Sequence, residues 1–153
     1  VSLTKVAGMP GLSRGARVSS EEARVDLVRE RQMTCTINAC EARAGEVVLQ
    51  DRDYRQASWA WLRTEGPRLY RALQKVRGLH VWPGVANYLF LRCDVTGLDL
   101  QRALLEKQIL IRSCANYPGL DERYYRVAVR NAVENDALIA AMESVVSDTS
   151  ADV

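Results

Sequence analysis

The sequence predicts an α/β fold, a small sheet with helices packed against it, and three observations carry that expectation. After Gly78 the hydrophobic period changes from helical spacing to short runs rich in β-branched and aromatic residues. Those runs alternate with helical patterns in the order strand, strand, helix, strand, strand, helix. The composition is that of a globular chain: 153 residues, 48% hydrophobic and 26% charged, with 9 Gly and 4 Pro.

Taken in order, residues 1–18 read as loop, punctuated by Gly8, Pro10, Gly11 and Gly15. Ser19 followed by Glu22 is a capping box, and the helix behind it carries Val25 and Val28 on one face and fades near Thr34. Residues 38–50 form a second, Ala-rich helical stretch. A longer pattern over 54–76 is marked by Trp61, Leu62, Leu69, Leu73 and Val76. Gly66-Pro67 interrupts it, so the helix either kinks there or restarts with Pro67 in its first turn. Strands are expected at 79–82, 85–93, 109–114 and 123–130. The helix at 99–108 should bury Leu100, Leu104 and Leu105. Asn131 with Glu134 caps the last helix, whose stripe is Val133, Ala137, Leu138, Ala141, Met142 and Val145. Residues 147–153 are polar and expected to fray.

The net charge of +2 is too small to argue for nucleic acid or an anionic membrane as partner. No apolar run approaches the roughly 20 residues that cross a bilayer, and no signal peptide opens the chain. The opening Val1-Ser2-Leu3-Thr4 reads like the interior of a longer polypeptide. Four cysteines (Cys35, Cys40, Cys93, Cys114) lack any C-x-x-C pair and there is one histidine, His80, so no metal site is expected. Scattered thiols suggest a reducing, cytoplasmic setting. Of the basic residues, 18 are Arg and 3 are Lys, a bias toward fork-shaped recognition of carboxylate and phosphate.

Lys5 is the first candidate for chemistry. Alone it reads as a solvated charge, but it follows Ser2-Leu3-Thr4 and precedes Met9-Pro10-Gly11-Leu12. A lysine in a partly dry, glycine-lined pocket loses its proton more readily, and the free amine condenses with an aldehyde. The S-x-x-K string of penicillin-recognising enzymes is a poor match, since S-D-N and K-T-G are missing downstream. Arg112 ends an apolar strand. Arg126 and Arg130 share one face of the next strand, opposite Val127 and Val129. A guanidinium inside a core strand needs an anionic partner, either a ligand or one of the chain's own acids. Asn116-Tyr117-Pro118-Gly119 between these strands is a turn. His80 reads as a packing residue, and the burial habits of aromatics put Trp59, Trp61 and Trp82 in the core rather than on a ligand platform.

Three strings together resemble a known family. Ser2-Leu3-Thr4-Lys5 with Pro10-Gly11-Leu12 is similar to the cofactor-lysine segment of fold-type I pyridoxal-phosphate enzymes of the histidinol-phosphate aminotransferase-like branch. I-L-I-R-S-C-A-N-Y-P-G-L at 109–120 and Y-Y-R-V-A-V-R at 124–130, preceded by Ala86-Asn87-Tyr88-Leu89, resemble more narrowly the threonine-phosphate decarboxylases of cobalamin biosynthesis. The resemblance implies that residues 1–76 end the large cofactor-binding domain, that 77–147 form the small C-terminal α/β domain, and that 148–153 are a tail. It implies that Lys5 holds pyridoxal 5'-phosphate covalently and later moves protons at the substrate Cα, with Ser2 on the cofactor phosphate. Ser13 stands where relatives carry a phosphate-gripping arginine, and Arg14, one position along, is the cofactor-binding candidate. Arg112 and Arg126 would bind the two anionic ends of threonine phosphate, which the family converts to 1-amino-2-propanol phosphate and carbon dioxide. The implied parent enzyme is a cytoplasmic homodimer. Because the family's ring-pairing acid, ring-stacking aromatic and most large-domain strands precede the lysine, the chain alone is expected to be inactive, with exposed apolar faces on the helices between 19 and 76. The rival readings are a histidinol-phosphate aminotransferase relative and a truncated, non-catalytic chain of the same fold.

Overall fold

The computed structural model describes residues 20–31 and 39–151. Ser2, Lys5 and Arg14, and with them Ser19 of the expected capping box, lie outside the described residues. The elements are α1 (Glu22–Glu30), α2 (Ala39–Gln50), α3 (Arg52–Leu73), β1 (Leu79–Trp82), β2 (Tyr88–Cys93), α4 (Leu100–Glu106), β3 (Arg112–Ser113), β4 (Tyr124–Ala128) and α5 (Ala132–Ala151). The chain divides into two compact units, Val1–Ala57 and Ser58–Val153.

In the first unit α1 begins at Glu22, with Glu21 at its N-cap and no side-chain cap bond from it. It ends at Glu30 rather than near Thr34. None of its residues is buried, and Leu27, Val28, Val47 and Leu49 are at least half exposed. Helix α3 starts two residues before the sequence pattern, because the Asp51 carboxylate accepts the Tyr54 backbone N–H at 2.9 Å.

The second unit is the two-layer sandwich that the sequence predicts. Its sheet is antiparallel throughout, in the order β1-β2-β4-β3. One face carries Val81, Leu89, Leu91, Cys93, Tyr125 and Val127, and these pack with Leu69 and Leu73 of α3, Leu100 and Leu104 of α4, and Leu138, Met142 and Val145 of α5. No second helix restarts at Gly66-Pro67: α3 is continuous through Pro67. Leu69 and Leu73, both fully buried, hold the helix beyond the proline and offset its cost of about 3 kcal/mol. The stripe of α5 is narrower than expected: Val133 is 78% exposed, and the buried position near the helix start belongs to Asn135. Leu105 of α4 likewise faces solvent. Helix α5 runs to Ala151, through the segment expected to fray.

Strands β2, β3 and β4 are shorter than the hydrophobic runs that announce them, and each has an identifiable stop. Before β2, the chain bends at residues 85–87, where Val85 is 98% exposed. Before β3, residues 109–111 close α4: the Ile109 N–H donates to the Leu104 carbonyl and the Gln108 N–H to the Leu105 carbonyl, a Schellman motif with Gln108 at φ 61°. The Gln101 amide then donates to the Ile111 carbonyl at 2.8 Å, which aims Arg112 into the sheet. After β4, the Arg130 N–H donates to Asn135 Oδ1 at 2.8 Å, so Arg130 leaves the strand that also carries Arg126. Asn131 caps α5 as expected, accepting the Glu134 N–H at 2.9 Å.

A buried network ties α3 to the start of α5. Arg68 donates through Nε and Nη2 to the Glu65 carboxylate and through Nη1 to Asp136. Asn135 Nδ2 donates to Glu65 at 2.8 Å and to the Arg130 carbonyl at 2.7 Å, and Trp61 Nε1 donates to the same carbonyl. The Arg68 guanidinium, with Asn135 second, holds the Glu65 carboxyl below its ordinary value.

Candidate substrate-anion site on the open face of the sheet

Strand alternation sends every second side chain to the face opposite the core. Register then builds one row across all four strands: Trp82 faces Phe90, Phe90 faces Arg126, and Arg126 faces Arg112. A second row runs His80–Arg92–Tyr124, and Tyr88 faces Ala128. On the β1 side the face is aromatic, with ring centroids 5.0 Å apart for Trp82–Phe90 and 5.6 Å for Phe90–Tyr124, and His80 edge-on to Trp82 at 4.3 Å. The β3 side is cationic. Trp82, expected in the core, is thus half-buried in an aromatic cluster on the open face, whereas Trp61 does pack against the core.

The arginines of this region fall into two groups. Arg92 bonds Asp94 at 2.7 Å, Arg123 bonds Asp121 at 2.7 Å, and Arg130 bonds Glu134 at 2.6 Å. These partners hold the Asp94, Asp121 and Glu134 carboxyls below the usual range. Arg112 and Arg126 have no carboxylate partner among the described residues. They are direct cross-strand neighbours, a like-charge arrangement that destabilises a sheet. The Arg126 guanidinium carbon lies 3.7 Å from the centroid of the Tyr88 ring, and that of Arg112 lies 6.0 Å from Tyr117. Arg126 Nε is buried with no hydrogen-bond partner among the described residues. Both guanidinium groups line a groove of about 570 Å³, with Tyr88, Leu110, Ser113 and Ala128. A second groove, of about 510 Å³ between Trp59, Leu62, Pro67 and Val85, contains Arg63 alone among charged residues.

The turn at 116–119 falls where the sequence puts it. The Leu120 N–H donates to the Tyr117 carbonyl at 3.1 Å and Gly119 has φ +83°, a type II turn with Pro118 at its second position. With the Gln101 tether it holds the short β3 that presents Arg112. Of the predicted site residues, Arg112 and Arg126 therefore come together on one face, while Ser2, Lys5 and Arg14 are outside the described residues. Sequence reasoning missed Tyr88 and Gln101. Tyr88 carried a usable signal, since it shares the alternation of Phe90 and so the face of Arg126; Gln101 carried none. Among the described residues no cluster of His, Cys, Asp and Glu could hold a metal ion, and no helix is long and apolar enough to cross a membrane. Burial pushes the Cys93 thiol up, which keeps it chemically quiet.

The open face of this two-layer α/β domain thus carries, side by side, two arginines without acidic partners among the described residues. The profile of the aminotransferase class I and II family matches residues 1–143, and the chain belongs to that family. It is 54% identical over 146 residues to the threonine-phosphate decarboxylase of Salmonella typhimurium, covering 95% of this chain and 40% of that protein. Among solved structures, the histidinol-phosphate aminotransferase from Clostridium acetobutylicum superposes with a TM-score of 0.86 at 27% identity, over 96% of this chain and 45% of that one. The L-threonine-O-3-phosphate decarboxylase from Porphyromonas gingivalis gives 0.80 at 25% identity, over 94% and 45%. The chain thus spans less than half the length of each of these relatives.

Proposed function

We propose that this chain carries the C-terminal part of a pyridoxal-phosphate-dependent decarboxylase that converts L-threonine O-3-phosphate to 1-amino-2-propanol O-2-phosphate and carbon dioxide in cobalamin biosynthesis. The observation that carries the reading is the Arg112–Arg126 pair: two guanidinium forks, side by side in a groove, fit a small substrate with a phosphate at one end and a carboxylate at the other. The 54% identity to the Salmonella protein supports the decarboxylase over other family members. In this reading residues 1–76 end the large domain and 77–147 are the small one.

The described residues fit the substrate end of such a site, since the buried Arg126 Nε still has an N–H to give. The cofactor's own contacts are assigned to Ser2, Lys5 and Arg14: Ser2 and Arg14 to its phosphate, Lys5 to its aldehyde and to proton movement at the substrate Cα. When bound, pyridoxal phosphate supplies the electron sink that takes up the pair left by departing carbon dioxide. Arg112 and Arg126 hold both ends of the substrate, and so fix which bond of its Cα is presented for cleavage. Choosing loss of carbon dioxide over amino transfer is then a matter of orientation. The free thiols of Cys40, Cys93 and Cys114 suit a reducing compartment such as the cytoplasm, and we read the parent enzyme as a homodimer, testable by sedimentation.

The second reading is a histidinol-phosphate aminotransferase, favoured by the 0.86 superposition. A hybrid separates the two: residues 1–143 of this chain replace the matching segment of the Salmonella enzyme, and carbon dioxide release from threonine phosphate is compared with 2-oxoglutarate-dependent amino transfer from histidinol phosphate. Release of carbon dioxide, with Arg126→Ala raising KM and leaving the cofactor spectrum intact, supports the decarboxylase. Amino transfer without carbon dioxide rejects it, and loss of the cofactor in Arg126→Ala rejects the role given to that residue.

A further inference from the structure

Resting on the reading of Arg126 as a substrate-anion clamp, we propose that Tyr88 is its positioning residue, holding the guanidinium in its binding pose while leaving its N–H donors free. Tyr88 faces Ala128 and Phe90 faces Arg126, so the ring is a diagonal cross-strand neighbour of the guanidinium. The guanidinium carbon lies 3.7 Å from the ring centroid, well inside the roughly 6 Å reach of a cation–π contact. The kind of partner matters. A carboxylate stabilises arginine by occupying in-plane N–H groups, as Asp94 does with Arg92 and Asp121 with Arg123. An aromatic ring takes the flat face and leaves the edge open. Arg126 is in that second state, with the Tyr88 ring on its face and no carboxylate partner among the described residues.

Arg112 stands directly across the strand pair, and repulsion between the two cations favours rotamers that swing apart. The Tyr88 ring opposes that swing for Arg126. Tyr117 gives Arg112 only a contact at 6.0 Å, the limit of useful attraction. Arg126 is therefore the preorganised arm of the pair, and a preorganised side chain loses less freedom when the anion arrives.

The test uses the ¹⁵N-labelled 153-residue chain, observing arginine Nε–H resonances during titration with O-phospho-L-threonine and, separately, inorganic phosphate. The Arg126 signal is assigned by its loss in Arg126→Ala. In the parent and in Tyr88→Phe, that signal is displaced by the ring current and moves with added anion. In Tyr88→Leu the displacement disappears and affinity falls about tenfold, the scale of a partly desolvated cation–π contact. A merely structural role for Tyr88 would lower the unfolding midpoint and leave the affinity alone. Parent-like affinity in Tyr88→Leu overturns the proposal, as does a Tyr88→Phe as weak as Tyr88→Leu. If Arg126→Ala binds as the parent does, the clamp reading fails and this inference with it. If Arg126→Ala is weak while Tyr88→Leu is normal, only the inference falls.

Discussion

Replacing Asn135 by alanine tests whether the buried polar network between α3 and α5 holds the Ser58–Val153 unit together. Asn135 is 0% exposed, and its amide accepts the Arg130 N–H and donates to both the Arg130 carbonyl and the Glu65 carboxylate. A neutral hydrogen bond contributes about 1 kcal/mol net and one to a charged group about 1.5–3, so the three together reach about 4 kcal/mol. The Arg130 carbonyl keeps Trp61 as a donor and Glu65 keeps Arg68, which reduces the expected loss to about 3 kcal/mol. Urea unfolding of the whole chain, followed by tryptophan fluorescence, reads the change. With a slope of about 1–3 kcal/mol per molar, the midpoint should fall by at least about 1 M. Asp136→Ala is the internal control, because that residue meets Arg68 at a side chain 62% exposed and should cost less than about 1 kcal/mol. An Asn135→Ala loss below about 1 kcal/mol, or one matched by Asp136→Ala, would refute the reasoning.

Three further substitutions probe the backbone and the charge of the same fold. Gln108 occupies the left-handed position of a Schellman motif at φ 61°, so Gln108→Gly should stabilise the chain by about 0.5–1 kcal/mol, measured by urea midpoint. Gly78, at φ +78°, is the opposite case: an added Cβ would lie 2.5 Å from Val95 Cγ2, and Gly78→Ala should cost about 2 kcal/mol or more by the same measurement. Glu65 has a folded pKa lowered from 4.5, chiefly by Arg68, so its contribution is fully present above that value and is lost as pH falls through the folded value. The urea midpoint should hold from neutrality to about pH 5 and drop below it, and Glu65→Gln should flatten part of that drop.

The layering of the second unit was legible because burial dominates it. Val81, Leu89, Leu91 and Val127 alternate with polar or aromatic partners, and Leu138, Met142 and Val145 recur at helical spacing. Errors gathered where side chains or chain reversals outcompete the backbone period. Ile109 and Ile111 read as strand, yet one closes α4 and the other gives its carbonyl to Gln101. Val133 and Ala137 extend the apolar stripe on paper, but Asn135 holds the buried position, through hydrogen bonds to partners as distant as Glu65, 70 residues away. Arg112 and Arg126 were legible as charges in apolar strands, although their facing register depends on a strand order that no local pattern encodes. Tyr88 and Phe90 could be put on one face by alternation, but the seat Tyr88 makes for Arg126 depends on the same pairing.

That register has a consequence for how the site is built. Two cations placed opposite each other on adjacent strands cost a sheet roughly 0.2–1 kcal/mol relative to neutral neighbours, while Arg92, Arg123 and Arg130 each bond an acid of this same unit. With 19 acidic residues in the chain, carboxylates to neutralise Arg112 and Arg126 are not scarce. Had either arginine been paired with an aspartate, its donors would be occupied and an incoming phosphate or carboxylate would meet a cancelled charge. Leaving the pair facing a groove, with one guanidinium laid on an aromatic ring, keeps both charges and their N–H edges available, which is what the proposed clamp on a substrate with two anionic ends requires of this register.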